Sequence, residues 1–171
     1  DRGRDGMIME MSIAENMLLK SSYAKKWQKR GFINRKKLHQ YTLQEIRDYA
    51  IKAPSPETIA RGLSGGNQQK VVLAREVENG EKVIIFDQPT RGLDLGAVNH
   101  IHQVILQERD KGKSILLVST ELAEIFALSD RIAVLYKGEI QGVFNSAELT
   151  TEKIGLLMAG FREGEVKSDA G

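Results

Sequence analysis

The sequence predicts an α/β protein with a helical leading part, and three observations carry that prediction. Three short apolar runs, "KVIIFD" (82–87), "SILLVS" (114–119) and "RIAVLY" (131–136), alternate with helical patterns over about 94–110 and 121–128. That is the strand–helix–strand order of an α/β fold, and continuous apolar runs of this length predict strands buried on both faces of a parallel sheet. The residues before about 60 carry helix signals alone. Between the two parts, "LSGGNQQKVVLARE" (63–76) puts a Ser, two Gly and an Asn at the head of a helix.

The elements follow in order. Ser12 with Glu15 three residues later reads as a capping box opening a helix that runs to Lys20. Asn34 to about Lys52 reads as a longer helix, because Leu38, Tyr41, Leu43, Ile46 and Tyr49 roughly keep its period. The two prolines of "APSPET" (53–58) end it. A further helix is expected from about Asn67 to Asn79. "KGEI" (137–140) is a tight turn into a fourth strand, "EIQGVF", so the sheet is expected to end in a hairpin. Residues 151–161 read as a last helix. The expected division is a helical part over 1–62, an α/β part over 63–161 and a disordered tail over 162–171, rich in Gly, Glu and Lys.

Bulk composition excludes some classes. The 171 residues suffice for a compact domain with a core, and 41% hydrophobic with 28% charged residues is ordinary for a soluble globular chain. The absence of cysteine removes disulfide and thiolate chemistry. No apolar run approaches the ~20 residues that span a bilayer. The opening "DRGRDG" is no signal peptide and lacks a Met, so the chain is expected to be a piece of something longer. Net charge is only +2, but residues 20–37, "KSSYAKKWQKRGFINRKK", hold eight Lys or Arg and no acid. With Tyr23, Trp27 and Phe32 interleaved, three readings stand in order. The first is a solvated face of the helical part with Trp27 and Phe32 partly buried. Attraction to an anionic membrane is second, and binding of single-stranded nucleic acid a distant third.

The chemistry concentrates in two places. The glycines at 65 and 66 let backbone approach a ligand closely. Amides of Ser64, Gly65 and Gly66 at a helix N-terminus attract phosphate, with the Ser64 hydroxyl as a further donor. On those residues alone, an ordinary Ser N-cap followed by loop glycines fits equally well. The second place is "VIIFDQPTRGLD", where Asp87 closes an apolar strand at the end where α/β sheets bind ligands. Such an Asp holds Mg²⁺ in phosphate-binding proteins. Alone it reads as a turn or cap.

Together, and at this spacing, the two elements resemble ABC-transporter ATPases. "LSGGNQQK" resembles their signature, "VIIFDQ" their Walker B strand, "GLD" (92–94) their D-loop and "KGEIQGVF" their late hairpin. The resemblance runs from Asp1 to about Gly160. The variants "LSGGNQQK" and "PTRGLDLGA" are most similar to ATPases of importers for simple sugars and nucleosides, in which one long chain carries two ATPase halves. "DRGRDGMIMEMSIAENMLL" resembles the stretch just after the Q-loop of the second half.

The resemblance implies a helical signature subdomain followed by the later part of a RecA-like P-loop NTPase core. It implies ATP and Mg²⁺ as ligands, with Asp87 on the metal. It implies an ATP sandwiched between two halves, clamped by Ser64, Gly65, Gly66 and Asn67 from one side, with Asp94 of the D-loop reaching across. The implied partners are a second ATPase half, integral-membrane permease subunits and, indirectly, a solute-binding protein. No nucleic acid is expected, and the place is peripheral, on the cytoplasmic face of the membrane. An ABC-type ATPase of DNA repair or translation is the alternative.

Three departures qualify the match. The Walker A unit is absent: the nearest pattern, "QERDKGKS" (107–114), lacks the first Gly and lies between a helix and a following strand, so it reads as a helix end and turn. The family would place that unit upstream of Asp1. Gln88 stands where the family usually has the Glu that polarises the attacking water, and an amide cannot accept that proton. Thr120, in "LLVSTELAE", stands at the switch His. Gln88 and Thr120 agree that the chain's own catalytic side is impaired, and the isolated chain is expected to be inactive. Arg91 beside the D-loop is as well read as a surface residue. His39, His100 and His102 have no metal-ligand spacing and are expected at the surface.

Overall fold

The structure is a computed structural model that describes residues 6–29, 31–77 and 82–161. Its elements are α1 (Ile13–Leu18), β1 (Gln28–Lys29), β2 (Phe32–Ile33), α2 (Arg35–Asp48), α3 (Gly65–Val77), β3 (Val83–Asp87), α4 (Leu95–Asp110), β4 (Ser114–Val118), α5 (Leu122–Leu128), β5 (Arg131–Tyr136), β6 (Glu139–Asn145) and α6 (Thr151–Met158). The chain divides into two compact units, residues 1–84 with 89–116, and residues 85–88 with 117–171. The expected disordered tail lies outside the described residues.

In the first unit α1 opens with the predicted capping box. Ser12 Oγ accepts from the Glu15 amide at 3.2 Å, and the Glu15 carboxylate accepts from the Ser12 amide at 2.8 Å. Both orphan groups of the helix start are thereby satisfied. Ile13 and Met17 bury one face of α1 against Val71 and Ala74 of α3, with Ile51, Ala60 and Leu63 completing the core. Asn16 and Arg75, the two long polar side chains buried beside this core, are both hydrogen-bonded. Asn16, wholly buried, accepts from the Ile8 amide at 2.8 Å and donates to the Ile8 and Ser12 carbonyls. The buried Arg75 guanidinium of α3 donates to the carbonyls of Gly6 and Asn16.

The leading part is not all-helical as expected. β1 and β2 form a small antiparallel hairpin, with Gly31 in the left-handed region (φ 84°) at its turn. Trp27 makes this hairpin necessary. Its ring is 2% exposed, sits 4.8 Å from the Tyr41 ring and donates its Nε1–H to Ser21 Oγ at 3.0 Å. The chain must dip to bury Trp27 and then turn back, which leaves Phe32, expected half-buried, outside. α2 also ends earlier than expected, at Asp48, before the prolines are reached. The cause is Ala50, whose φ of 47° breaks the helix.

β3 and β4 pair with each other. The Ser114 amide donates to the Lys82 carbonyl and the Gln88 amide to the Val118 carbonyl, both at 2.8 Å. The pairing advances in the same direction along both strands, so the ladder is parallel. Burial on both faces does not hold. Ile84 and Phe86 are buried, whereas Val83 and Ile85 are exposed, as are Leu116 and Val118 of β4. Successive side chains point to opposite faces, and only one face is covered among the described residues.

In the second unit β5 and β6 form the predicted hairpin as a two-stranded sheet of its own. Lys137 and Gly138 both take positive φ (46° and 84°), as the two-residue turn of a right-twisted hairpin requires. Ile132, Val134 and Phe144 pack on Ile154 and Leu157 of α6, with Leu122, Ile125 and Phe126 of α5 against them.

Candidate nucleotide site

α3 starts at Gly65, two residues before the expected Asn67, so both glycines belong to its first turn. Ser64 caps it: its carbonyl accepts from the Gln68 amide at 2.9 Å, and its Oγ accepts from the Asn67 amide at 3.4 Å. The Asn67 side-chain amide also donates to Ser64 Oγ at 2.9 Å. With two donors on its lone pairs, the Ser64 hydroxyl keeps its own hydrogen to give away. The Gly65 and Gly66 amides precede the point where helical acceptors begin. One short turn therefore offers a hydroxyl and two backbone N–H groups at the positive end of a 13-residue helix.

Two further ties fix this turn. Asn67 Oδ1 accepts from the Lys52 amide at 2.8 Å, and Lys70 Nζ donates to the Ala50 carbonyl at 2.9 Å. The left-handed step at Ala50 thus aims backbone groups of the α2–α3 connection at the first turns of α3. Burial and the charge of Lys52 hold the Lys70 pKa below its ordinary value, with Asp94 acting the other way.

Asp94 is the N-cap of α4, accepting from the Ala97 amide at 3.0 Å. It lies beside the glycine turn. A Cβ added to Gly66 would stand 3.1 Å from Ala97 Cβ and 3.5 Å from Asp94 Oδ2. Gly66 is therefore required by the close approach of the α3 and α4 N-termini, which form one continuous patch. Gly92, at φ 70°, supplies the left-handed residue of the turn before it.

In the second unit Asp87 is exposed at the last position of β3. Gln88 follows with φ 48°, a conformation that costs a non-Gly residue about 1 kcal/mol or more. Its Oε1 faces the Thr120 amide at 3.4 Å and the Thr120 hydroxyl at 3.3 Å. The two residues singled out as departures are thus neighbours, joined by weak hydrogen bonds.

Residues 107–114 are the end of α4, a Gly112 turn at φ 84° and the start of β4, as read from sequence. His39 lies at the surface, 2.6 Å from Glu57. His100 is half-buried rather than fully at the surface. Its ring lies edge-on to Tyr49 at 6.2 Å, its Nε2 is buried without a hydrogen-bond partner, and burial and the nearby Lys70 charge hold its pKa low. Its place on α4 packs it against the connection that sequence periodicity cannot position. The sequence reading also missed Ala50 and Lys52, for which composition gives no signal.

Comparison with known proteins decides the family. The profile of the ABC transporter family matches residues 4–91. This chain belongs to the ABC transporter family. It is 41% identical over 160 residues to the nucleoside import ATP-binding protein NupA of Lactococcus lactis, which covers 94% of this chain and 32% of that protein. It is 42% identical over 165 residues to the guanosine import ATP-binding protein NupO of Bacillus subtilis, covering 96% and 32%. It is 42% identical over 164 residues to the ribose import ATP-binding protein RbsA of the same organism, covering 95% and 32%. The chain thus spans about a third of the length of these relatives. A dimeric ATP-binding cassette solved in a post-hydrolysis state with ADP and Pi shares the fold, with a TM-score of 0.67 at 24% identity over 82% of this chain and 59% of that one. In this ABC transporter chain the α/β order and the helical leading part are those of an ATP-binding cassette.

Proposed function

We propose that this chain is part of the ATP-hydrolysing subunit of an importer for simple sugars or nucleosides. In this reading it supplies the signature and D-loop side of an ATP site whose P-loop comes from another ATPase half. The observation that carries the reading is the patch made by Ser64, Gly65, Gly66 and Asp94. Its donors face out of the helix end and no phosphate-cradling loop accompanies them in these 171 residues.

The chemistry follows from the atoms. Ser64 Oγ–H and the Gly65 and Gly66 amides donate to phosphate oxygens, and the helix end stabilises the charge that develops on them. Asn67 acts from behind, holding Ser64. Asp94 reaches the opposing half, with its second oxygen on the α4 cap. Among the described residues no three acids or histidines cluster as a complete metal site. Asp87 alone still fits Mg²⁺, which takes one or two carboxylates and fills its shell with phosphate and water oxygens. When bound it would neutralise phosphate charge. Gln88, held by Thr120, orients water without taking its proton.

No helix among the described residues is long and apolar enough to cross a membrane. A peripheral place on the cytoplasmic face, docked to integral-membrane permease subunits and fed by a solute-binding protein, completes the reading. The names of NupA, NupO and RbsA support it. The test is Ser64→Ala with Gly65→Ala in the full-length ATPase. Hydrolysis is expected to fall by about 10²-fold or more, the loss typical of removing oriented donors from developing charge, while ATP still binds. Unchanged hydrolysis contradicts the reading.

A further inference from the structure

The described part of the basic stretch 20–37 is anchored at one residue while its lysines stay at the surface. Trp27 is the anchor, with its indole N–H on Ser21 and its ring on Tyr41. The Asn34 amide closes the base of the hairpin on the Trp27 carbonyl at 2.7 Å. Lys26 lies over the same rings, 4.8 Å from Trp27 and 5.8 Å from Tyr41. Outside this anchor stand two unburied rings, Tyr23 at 80% and Phe32 at 79% exposure, with Ile33 beside Phe32. Lys25, Lys26, Lys36 and Lys37 of the same stretch are exposed as well, and the segment holds no acid. Lys20 pairs with Glu76.

Exposed aromatics amid cations match one kind of surface well. A charged leaflet attracts each nearby Lys or Arg by about fivefold in partition, and Tyr or Phe rings settle at headgroup depth. Single-stranded nucleic acid fits less well, because the best stacking ring, Trp27, is buried and unavailable as a platform. We propose that the β1–β2 hairpin and its flanks form a lipid-contacting foot that docks on an anionic membrane, cations over the headgroups and Tyr23 and Phe32 in the interface. This goes beyond the ATP-site reading and does not depend on it.

The test is co-sedimentation of the 171-residue chain with phosphatidylcholine vesicles, without and with about 30% phosphatidylglycerol. Binding to the anionic vesicles alone, weakening as salt rises, is the expected result. The combined variant Lys25→Gln, Lys26→Gln, Lys36→Gln and Lys37→Gln is expected to lower the partition by at least about tenfold. The pair Tyr23→Ser and Phe32→Ser should lower it at constant charge. Far-UV circular dichroism checks that both variants keep the parent fold. Failure to bind anionic vesicles, equal binding to neutral ones, a quadruple variant that binds like the parent, or displacement of the vesicles by a single-stranded oligonucleotide overturns the proposal. Neither ATP nor Ser64 enters this assay, so its failure is separate from failure of the ATP-site reading.

Discussion

Ser64 and Gln88 each close a turn at the end of an element, but the structure treats them in opposite ways. Ser64 is relaxed and tied: its cap, the Asn67 side chain and the Lys52 and Ala50 backbone groups hold the glycine turn. Gln88 is strained and loosely held, at φ 48° with two long hydrogen bonds to Thr120. Strain of this kind persists where surroundings or function impose it. In the proposed reading the contrast is between a turn whose phosphate donors are held in place and a turn that keeps its shape while lacking a base. A half that activates a neighbour needs only the first.

Three changes break or sharpen that contrast. The largest effect is expected from Gln88→Glu in the full-length ATPase. It restores a proton acceptor on the same backbone, with the Thr120 amide and hydroxyl still in position to donate. Positioned general bases contribute about 10²-fold or more, and turnover at this chain's own site, read with the neighbouring site silenced by Ser64→Ala, should rise by that order. No rise would mean that this position is not beside the attacking water. Next is Gly66→Val, whose branched side chain must enter the 3.1 Å gap to Ala97. Overpacking typically costs about 1–3 kcal/mol. A lower Tm should accompany lost hydrolysis, and an unchanged Tm would show that α3 and α4 do not approach as described.

The smallest effect concerns His100. Its folded-state pKa lies below the ordinary value of about 6.5, so the unfolded chain takes up the proton first. Stability is then lost as pH falls below about 6.5 and rises as pH climbs through that window. Thermal melts at pH about 7.5 and about 5.5 should show a smaller acid-side drop in Tm for His100→Gln than for the parent. Equal drops would remove His100 from the acid response.

Much of the fold was legible because its signals are local. The Ser12 capping box, the Lys137–Gly138 turn and the apolar runs of β3 to β5 each lie within a few residues, where propensity and pattern act directly. The glycine turn at the head of α3 was also readable from its Ser and Gly spacing, though its start was placed two residues late, whereas its closeness to Asp94 was not readable. What was missed depends on tertiary context. Nothing in an Ala marks position 50 for a left-handed conformation, which the packing around Lys70 and Asn67 imposes. The burial of Trp27 bends the chain into a hairpin that no strand pattern announces. The open face of β3 and β4 was misread because an apolar run looks alike whether one face or both are covered within the chain.

The most direct test of the central claim is a calorimetric titration of Mg-ATP into the 171-residue chain. The account predicts no binding in the micromolar range, because signature and D-loop hold phosphate only together with a P-loop from another half. Micromolar binding would contradict it and place a complete nucleotide site within these residues.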